Sequence, residues 1–194
     1  MLPALLLVAG CDRRGAETPQ ARAPGEEGAA EGPALPDASG YQGQEMGRVS
    51  IDYRGMAAPD APIGLPGGQD GQLSDFEGRP LLVNLWATWC APCIAELPTL
   101  EALAGRTEGE LKVLTVSQDL QGAEVVTPFL AERGLRRLEP WLDPENAIMS
   151  ALGIESLPVT ILYDSDGAEL FRVYGGMDWN GERAQRLIDG ALGR

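Results

Sequence analysis

The stretch Leu81-Leu82-Val83-Asn84-Leu85-Trp86 is apolar at every position but one. Strict alternation would mark a strand with one wet face. A continuous apolar run marks a strand covered on both faces, as in parallel sheets packed between helices. Ala87-Thr88-Trp89-Cys90-Ala91-Pro92-Cys93 follows directly. A helical pattern then runs to about Leu103, with Leu97, Leu100, Leu103 and Ala104 on one face and Pro98 as an expected kink. A buried strand that feeds straight into a helix places the chain in an α/β layer architecture.

The remaining pattern extends that reading. Val49–Tyr53 alternates and predicts a short strand, and residues 67–71 predict a turn. Gln72–Phe76 reads as a strand or a single helical turn. Leu111–Val116 predicts a second buried strand, and Val125–Arg133 a helix ending at Gly134. Asn146–Leu152 predicts a short helix with Asp143-Pro144 as its cap and first turn. Val159–Tyr163 and Glu169–Tyr174 form a hairpin across Asp164–Gly167, and Asn180–Leu192 a closing helix. The expected order is β-α-β-α, a short helix, then β-β-α.

Cys90 and Cys93 carry the chemistry. Cys90 falls where a strand ends and a helix begins, so unpaired first-turn amides point at its sulfur and stabilise a thiolate. Pro92 suits the first turn, where a missing N–H costs nothing. Cys93 lies one turn further in, placed to close a disulfide with Cys90 and to resolve a mixed disulfide formed on it. That chemistry requires no cofactor. The 194 residues contain no histidine and only one other cysteine, Cys11. Histidine-assisted nucleophiles are therefore excluded, and a zinc site lacks its further ligands. With 29 acidic against 15 basic residues and a net charge of −14, a basic nucleic-acid-binding face is not expected.

The first 45 residues differ in kind. Leu2–Gly10 is a short apolar run, too short to span a bilayer, which needs about 20 apolar residues. It ends in Val8-Ala9-Gly10-Cys11, which resembles a bacterial lipobox, although no Lys or Arg precedes the run. That resemblance implies a lipid-bearing Cys11. Residues from Asp12 to about Gly40 are rich in Ala, Gly, Pro and Glu and lack aromatic residues, the composition of a disordered spacer. The expected organisation is a signal segment at 1–10, a tether at 11–45 and a folded domain at 46–194. Asp12 resembles the residue that retains some lipoproteins at the inner membrane.

The run from Val83 to Pro98, Val-Asn-Leu-Trp-Ala-Thr-Trp-Cys-Ala-Pro-Cys-Ile-Ala-Glu-Leu-Pro, resembles the active-site segment of thioredoxin-like proteins. More closely, it resembles the envelope-facing TlpA/ResA group. The resemblance covers about residues 57–194. It implies a thioredoxin-like fold, a central mixed sheet flanked by helices with an N-terminal extension. It also implies a thiol–disulfide oxidoreductase. Asn84 departs from cytosolic thioredoxin, which carries a buried Asp there. Glu96 matches a Glu that TlpA/ResA-type proteins carry three residues after the second cysteine. A lone helical carboxylate is by default solvated. With Asn84 neutral, Glu96 is instead expected to be the acid/base of the pair, one turn from Cys93. The resemblance further implies a cis bond at Leu157-Pro158, whose backbone would meet an extended substrate. Trp89 and Pro92 complete the expected substrate-facing set, Trp86 is expected in the core, and Trp141 and Trp179 have no assigned role.

Three functions fit this pattern. The leading one is a membrane-tethered reductant whose substrates are disulfide-containing envelope proteins, for example in cytochrome c or oxidase assembly. A membrane dithiol carrier would supply its electrons. A dithiol that binds Cu(I) is a second, since thiolates suit that ion, but no Met or His cluster surrounds the pair. The third keeps the fold and runs the exchange toward disulfide formation, because the direction depends on a reduction potential that Ala-Pro between the cysteines does not set.

Overall fold

A computed structural model describes residues 47–65 and 67–194. The segments expected at 1–10 and 11–45, with Cys11, lie outside the described residues. Leu81–Trp86 forms β4, buried at all six positions. It pairs in parallel with β5 (Lys112–Ser117) and antiparallel with β7 (Val159–Tyr163). These central strands are the predominantly apolar runs, and each is covered on both faces as that composition demands. β8 (Glu169–Tyr174) pairs with β7, and β1 (Arg48–Ser50) with β8. On the other side, β6 (Trp141–Leu142) joins β5, and the hairpin β2 (Pro62–Leu65) and β3 (Gln69–Gln72) completes the order β1-β8-β7-β4-β5-β6-β2-β3. This is the expected mixed sheet flanked by helices.

The helices are α1 (Ala91–Arg106), α2 (Ala123–Glu132), α3 (Ala147–Leu152) and α4 (Glu182–Leu192). Two apolar layers separate on the faces of the sheet. One joins Leu82 and Trp86 to Leu97, Leu100 and Leu103 of α1 and to Ile188 of α4. The other joins Leu81, Val83 and Leu85 to Ile148 of α3 and to Ile63 and Leu73. Among the described residues no helix is long and apolar enough to cross a membrane.

Several expected boundaries shift, for local reasons. The first strand stops at Ser50, and exposed Ile51 begins a turn, because the chain leaves β8 there. The expected 67–71 turn shrinks to Gly67-Gly68, both at positive φ, and the rest is β3. Gln72–Phe76 resolves as a 3₁₀ turn, Leu73–Phe76. Pro144 is not in the first turn of α3. Asn146 takes a left-handed conformation ahead of Ala147, and the Asp143 carboxylate accepts from the amides of Ala147 and Ile148 at 2.8 and 2.9 Å. Asp143 thus caps the helix from further back than a standard cap position.

A buried ion pair sits on β8. Arg172 donates from Nε and Nη2 to the two carboxylate oxygens of Glu169 at 2.7 and 2.5 Å, and both residues are 1% exposed. The Tyr53 ring lies 3.8 Å from the guanidinium and covers it. Removing one partner of such a pair strands a charge in the core. Glu169→Ala is therefore expected to lose about 3–5 kcal/mol of stability, read as a lower midpoint in urea unfolding. A midpoint unchanged from wild type contradicts this.

Candidate active site

Trp86 ends β4, and four residues later Cys90 caps α1. The connecting loop is held by Asp119, itself buried beyond the end of β5. Its carboxylate accepts from the Thr88 amide (2.9 Å), the Thr88 hydroxyl (2.7 Å) and the Ser117 hydroxyl (2.8 Å). Cys90 is 6% exposed and Cys93 fully buried, and the two are joined as a disulfide with Cα atoms 5.3 Å apart. The Cys93 amide donates to Cys90 Sγ at 3.4 Å. That amide is one of the first-turn donors expected to favour negative charge on this sulfur. Ala91 and Pro92 are exposed, and Trp89 stands out at 69% exposure beside the disulfide. Leu120, the residue after Asp119, is exposed at 74%. Trp86 is buried, as expected.

Glu96 is not solvated. It is fully buried on α1, one turn beyond Cys93. Its Oε1 accepts from Asn84 Nδ2 at 2.7 Å, and its Oε2 accepts from the Met177 amide and Trp179 Nε1, both at 3.1 Å. Burial pushes the carboxyl up from 4.5 to about 7, against the lowering effect of those three donors. The donors come from distant parts of the chain. Gly175, at a φ of 89°, turns the backbone out of β8 toward Met177 and Trp179. The Trp179 amide then donates to Thr99 Oγ1 at 3.0 Å, which ties this segment to α1 a second time.

The Leu157-Pro158 bond is cis. Because β7 runs antiparallel to β4, with Val159 opposite Leu85, Pro158 lies at the sheet end where β4 passes into the cysteine loop. The Pro158 carbonyl is taken by the Gly175 amide at 2.9 Å, whereas the backbone of Leu157 makes no hydrogen bond among the described residues.

The redoxin family model matches residues 53–188. The chain belongs to the redoxin family. Thioredoxin-like protein YneN of Bacillus subtilis is 30% identical over 129 residues, which span 66% of this chain and 74% of YneN. Thiol-disulfide oxidoreductase ResA of Bacillus anthracis is 28% identical over 153 residues, 78% of this chain and 83% of that one. The crystal structure of a candidate thiol:disulfide interchange protein DsbE from Chlorobium tepidum superposes with a TM-score of 0.64 at 25% identity, covering 72% of this chain and 97% of the other. The redoxin described here is a thioredoxin-fold thiol–disulfide oxidoreductase, and the resemblance to the TlpA/ResA group is borne out.

The structure brings Cys90, Cys93 and Glu96 together on the first turns of α1, with Leu157 and Pro158 at the same end of the sheet. Trp179, Met177, Thr160 and Asp119 were not singled out from the sequence. One signal points toward Thr160: Asn84 interrupts an apolar strand, and a buried amide needs partners. The raised carboxyl of Glu96 has a consequence for stability. The folded protein holds that proton more tightly than the unfolded chain. This contribution is full below about pH 4.5 and is lost as pH rises through about 7. Relative to Glu96→Gln, the oxidised wild type is expected to lose about 3 kcal/mol between about pH 4.5 and pH 7.5 in urea titrations. Parallel pH profiles for the two proteins would show that Glu96 titrates normally.

Proposed function

We propose that this redoxin is a membrane-tethered reductant of disulfides in bacterial envelope proteins. The observation that carries the reading is the Cys90–Cys93 disulfide at the start of α1 with a buried carboxylic acid one turn behind it. In the dithiol form, the Cys90 thiolate attacks a substrate disulfide. A bond forms from Cys90 sulfur to one substrate sulfur, and the other substrate sulfur leaves as a thiolate. Cys93 then passes its proton to the Glu96 carboxylate and attacks Cys90 sulfur. The enzyme disulfide forms, and the second substrate thiolate departs. Glu96 returns its proton to a leaving thiolate, so the substrate gains two electrons and the enzyme loses two. An acid with a proton affinity near neutral pH suits both directions of that transfer.

Exposed Trp89 and Pro92 offer the apolar surface beside Cys90. The backbone of Leu157, which makes no hydrogen bond among the described residues, receives the substrate as an added strand. Cys11 carries the lipid, residues 11–45 form the tether, and the domain from residue 46 works on the outer side of the inner membrane. Substrates are envelope proteins with oxidised cysteines, such as those awaiting haem or copper. A membrane dithiol carrier restores the dithiol.

The cysteine roles separate experimentally. Cys90→Ser is expected to abolish reduction of a model protein disulfide. Cys93→Ser is expected to stall after the first attack and accumulate a mixed disulfide visible on a non-reducing gel. Full turnover by Cys90→Ser would refute the reading.

A further inference from the structure

Asn84 lies at the centre of the sheet, on β4 between β5 and β7, with no exposed surface. Its amide nitrogen gives one hydrogen to Glu96 Oε1 at 2.7 Å and the other to Thr160 Oγ1 at 2.9 Å. Its oxygen, Oδ1, is buried and has no partner among the described residues. Buried amides normally satisfy both ends, and an orphaned end costs free energy. Here the cost secures a donor aimed at the acid. The other carboxylate oxygen of Glu96 already accepts from Met177 and Trp179. A proton that arrives at Glu96 therefore goes to Oε1, the oxygen that faces Asn84.

We propose that Asn84 is a positioning residue for the exchange reaction: it holds Glu96 Oε1 while the carboxylate is charged and turns its amide over when the carboxyl is protonated. This rests on the reading of Glu96 as proton acceptor of the dithiol. With Glu96 ionised, Nδ2 faces two acceptors, Oε1 and Thr160 Oγ1. With Glu96 protonated, Oε1–H is a donor and would collide with the N–H. A half-turn about χ2 puts Oδ1 in the same place, where it accepts from Oε1–H and from the Thr160 hydroxyl. A hydroxyl serves both arrangements because it accepts in one and donates in the other. The amide makes two hydrogen bonds in each state, so the reversal follows the proton and is not opposed by their number. Thr160 is two residues beyond cis Pro158, so the same amide ties the acid to the strand that receives substrate.

The surroundings isolate this exchange. The Glu96 side chain meets Asn84 from β4 and Met177 and Trp179 from the segment after β8; on its own helix Thr99 bonds its backbone carbonyl and Cys93 lies one turn before it. None of these is charged, and among them only Cys93 titrates, once reduced. No charged side chain contributes to the shift of Glu96, which comes from burial against three hydrogen-bond donors.

The test is a carboxyl ¹³C NMR titration of Glu96 in the oxidised full-length protein, with the side-chain amide signals of Asn84 followed in the same samples. In wild type, both Nδ2 hydrogens are expected to move upfield together as Glu96 takes up its proton, because reversal removes both from their acceptors. If only the hydrogen that faces Glu96 responds, the amide does not turn over and that part is overturned. In Asn84→Leu the Glu96 midpoint is expected to rise by about one pH unit, a tenfold gain in proton affinity, since the lost hydrogen bond to the charged form is stronger than the lost one to the neutral acid. A midpoint equal to wild type overturns the positioning role. The wild-type measurement decides the reversal even if Asn84→Leu does not fold. Neither readout uses activity. Failure of the acid/base reading itself appears separately, as an unchanged exchange rate and pH profile in Glu96→Gln.

Discussion

The burial of one carboxylic acid organises this molecule. Glu96 has no contact with solvent, yet it accepts three hydrogen bonds from two separate parts of the chain. A buried ionisable group without such donors would carry a heavy desolvation cost. The need to supply them ties α1 to the middle of the sheet through Asn84. It also ties α1 to the segment beyond β8 through Met177 and Trp179. The positive φ of Gly175 and the Thr99–Trp179 bond serve the same end, because they bring that segment back across α1.

The disulfide depends on this anchoring. Cys90 and Cys93 stand at the cap and first turn of a helix whose next turn is pinned at Glu96 and Thr99. Ahead of them, Asp119 clamps Thr88 and so fixes where the strand-to-helix loop ends. A rigid support with an exposed tip is what exchange chemistry requires: the sulfurs are placed precisely, while Trp89 remains outside for a partner to reach. In the proposed exchange, a dry carboxyl with a near-neutral proton affinity, one turn behind the inner sulfur, supplies what a helix N-terminus alone does not. It can accept a proton as well as favour a thiolate.

The strand-to-helix junction was legible in the sequence because its signals are local: six buried residues, a turn, a cysteine pair and an apolar helix face. The hairpin β7–β8 was legible for the same reason. β2 and β6 were not, since Pro62–Leu65 and Trp141–Leu142 are too short and too irregular to carry a period. They exist because neighbouring strands offer them edges. The acid was visible only in part. Glu96 was marked by its spacing from Cys93, but its burial depends on Trp179, 83 residues away, and no pattern links the two. The sequence marks Asn84 only as a neutral residue where cytosolic thioredoxin has an acid; its hydrogen bond to Glu96 depends on how α1 packs on β4. The cis bond at Pro158 came from resemblance, because local sequence distinguishes cis from trans proline poorly.

In the proposed mechanism Glu96 and the cysteine pair share a proton. The most direct measurement is the Glu96 carboxyl titration in the disulfide form against the dithiol form, with the Cys93 Cβ resonance followed alongside. Proton sharing predicts a single midpoint near 7 in the disulfide form. In the dithiol form it predicts two coupled inflections, each seen at both Glu96 and Cys93. One identical midpoint for Glu96 in both redox forms, with Cys93 titrating independently, would contradict it.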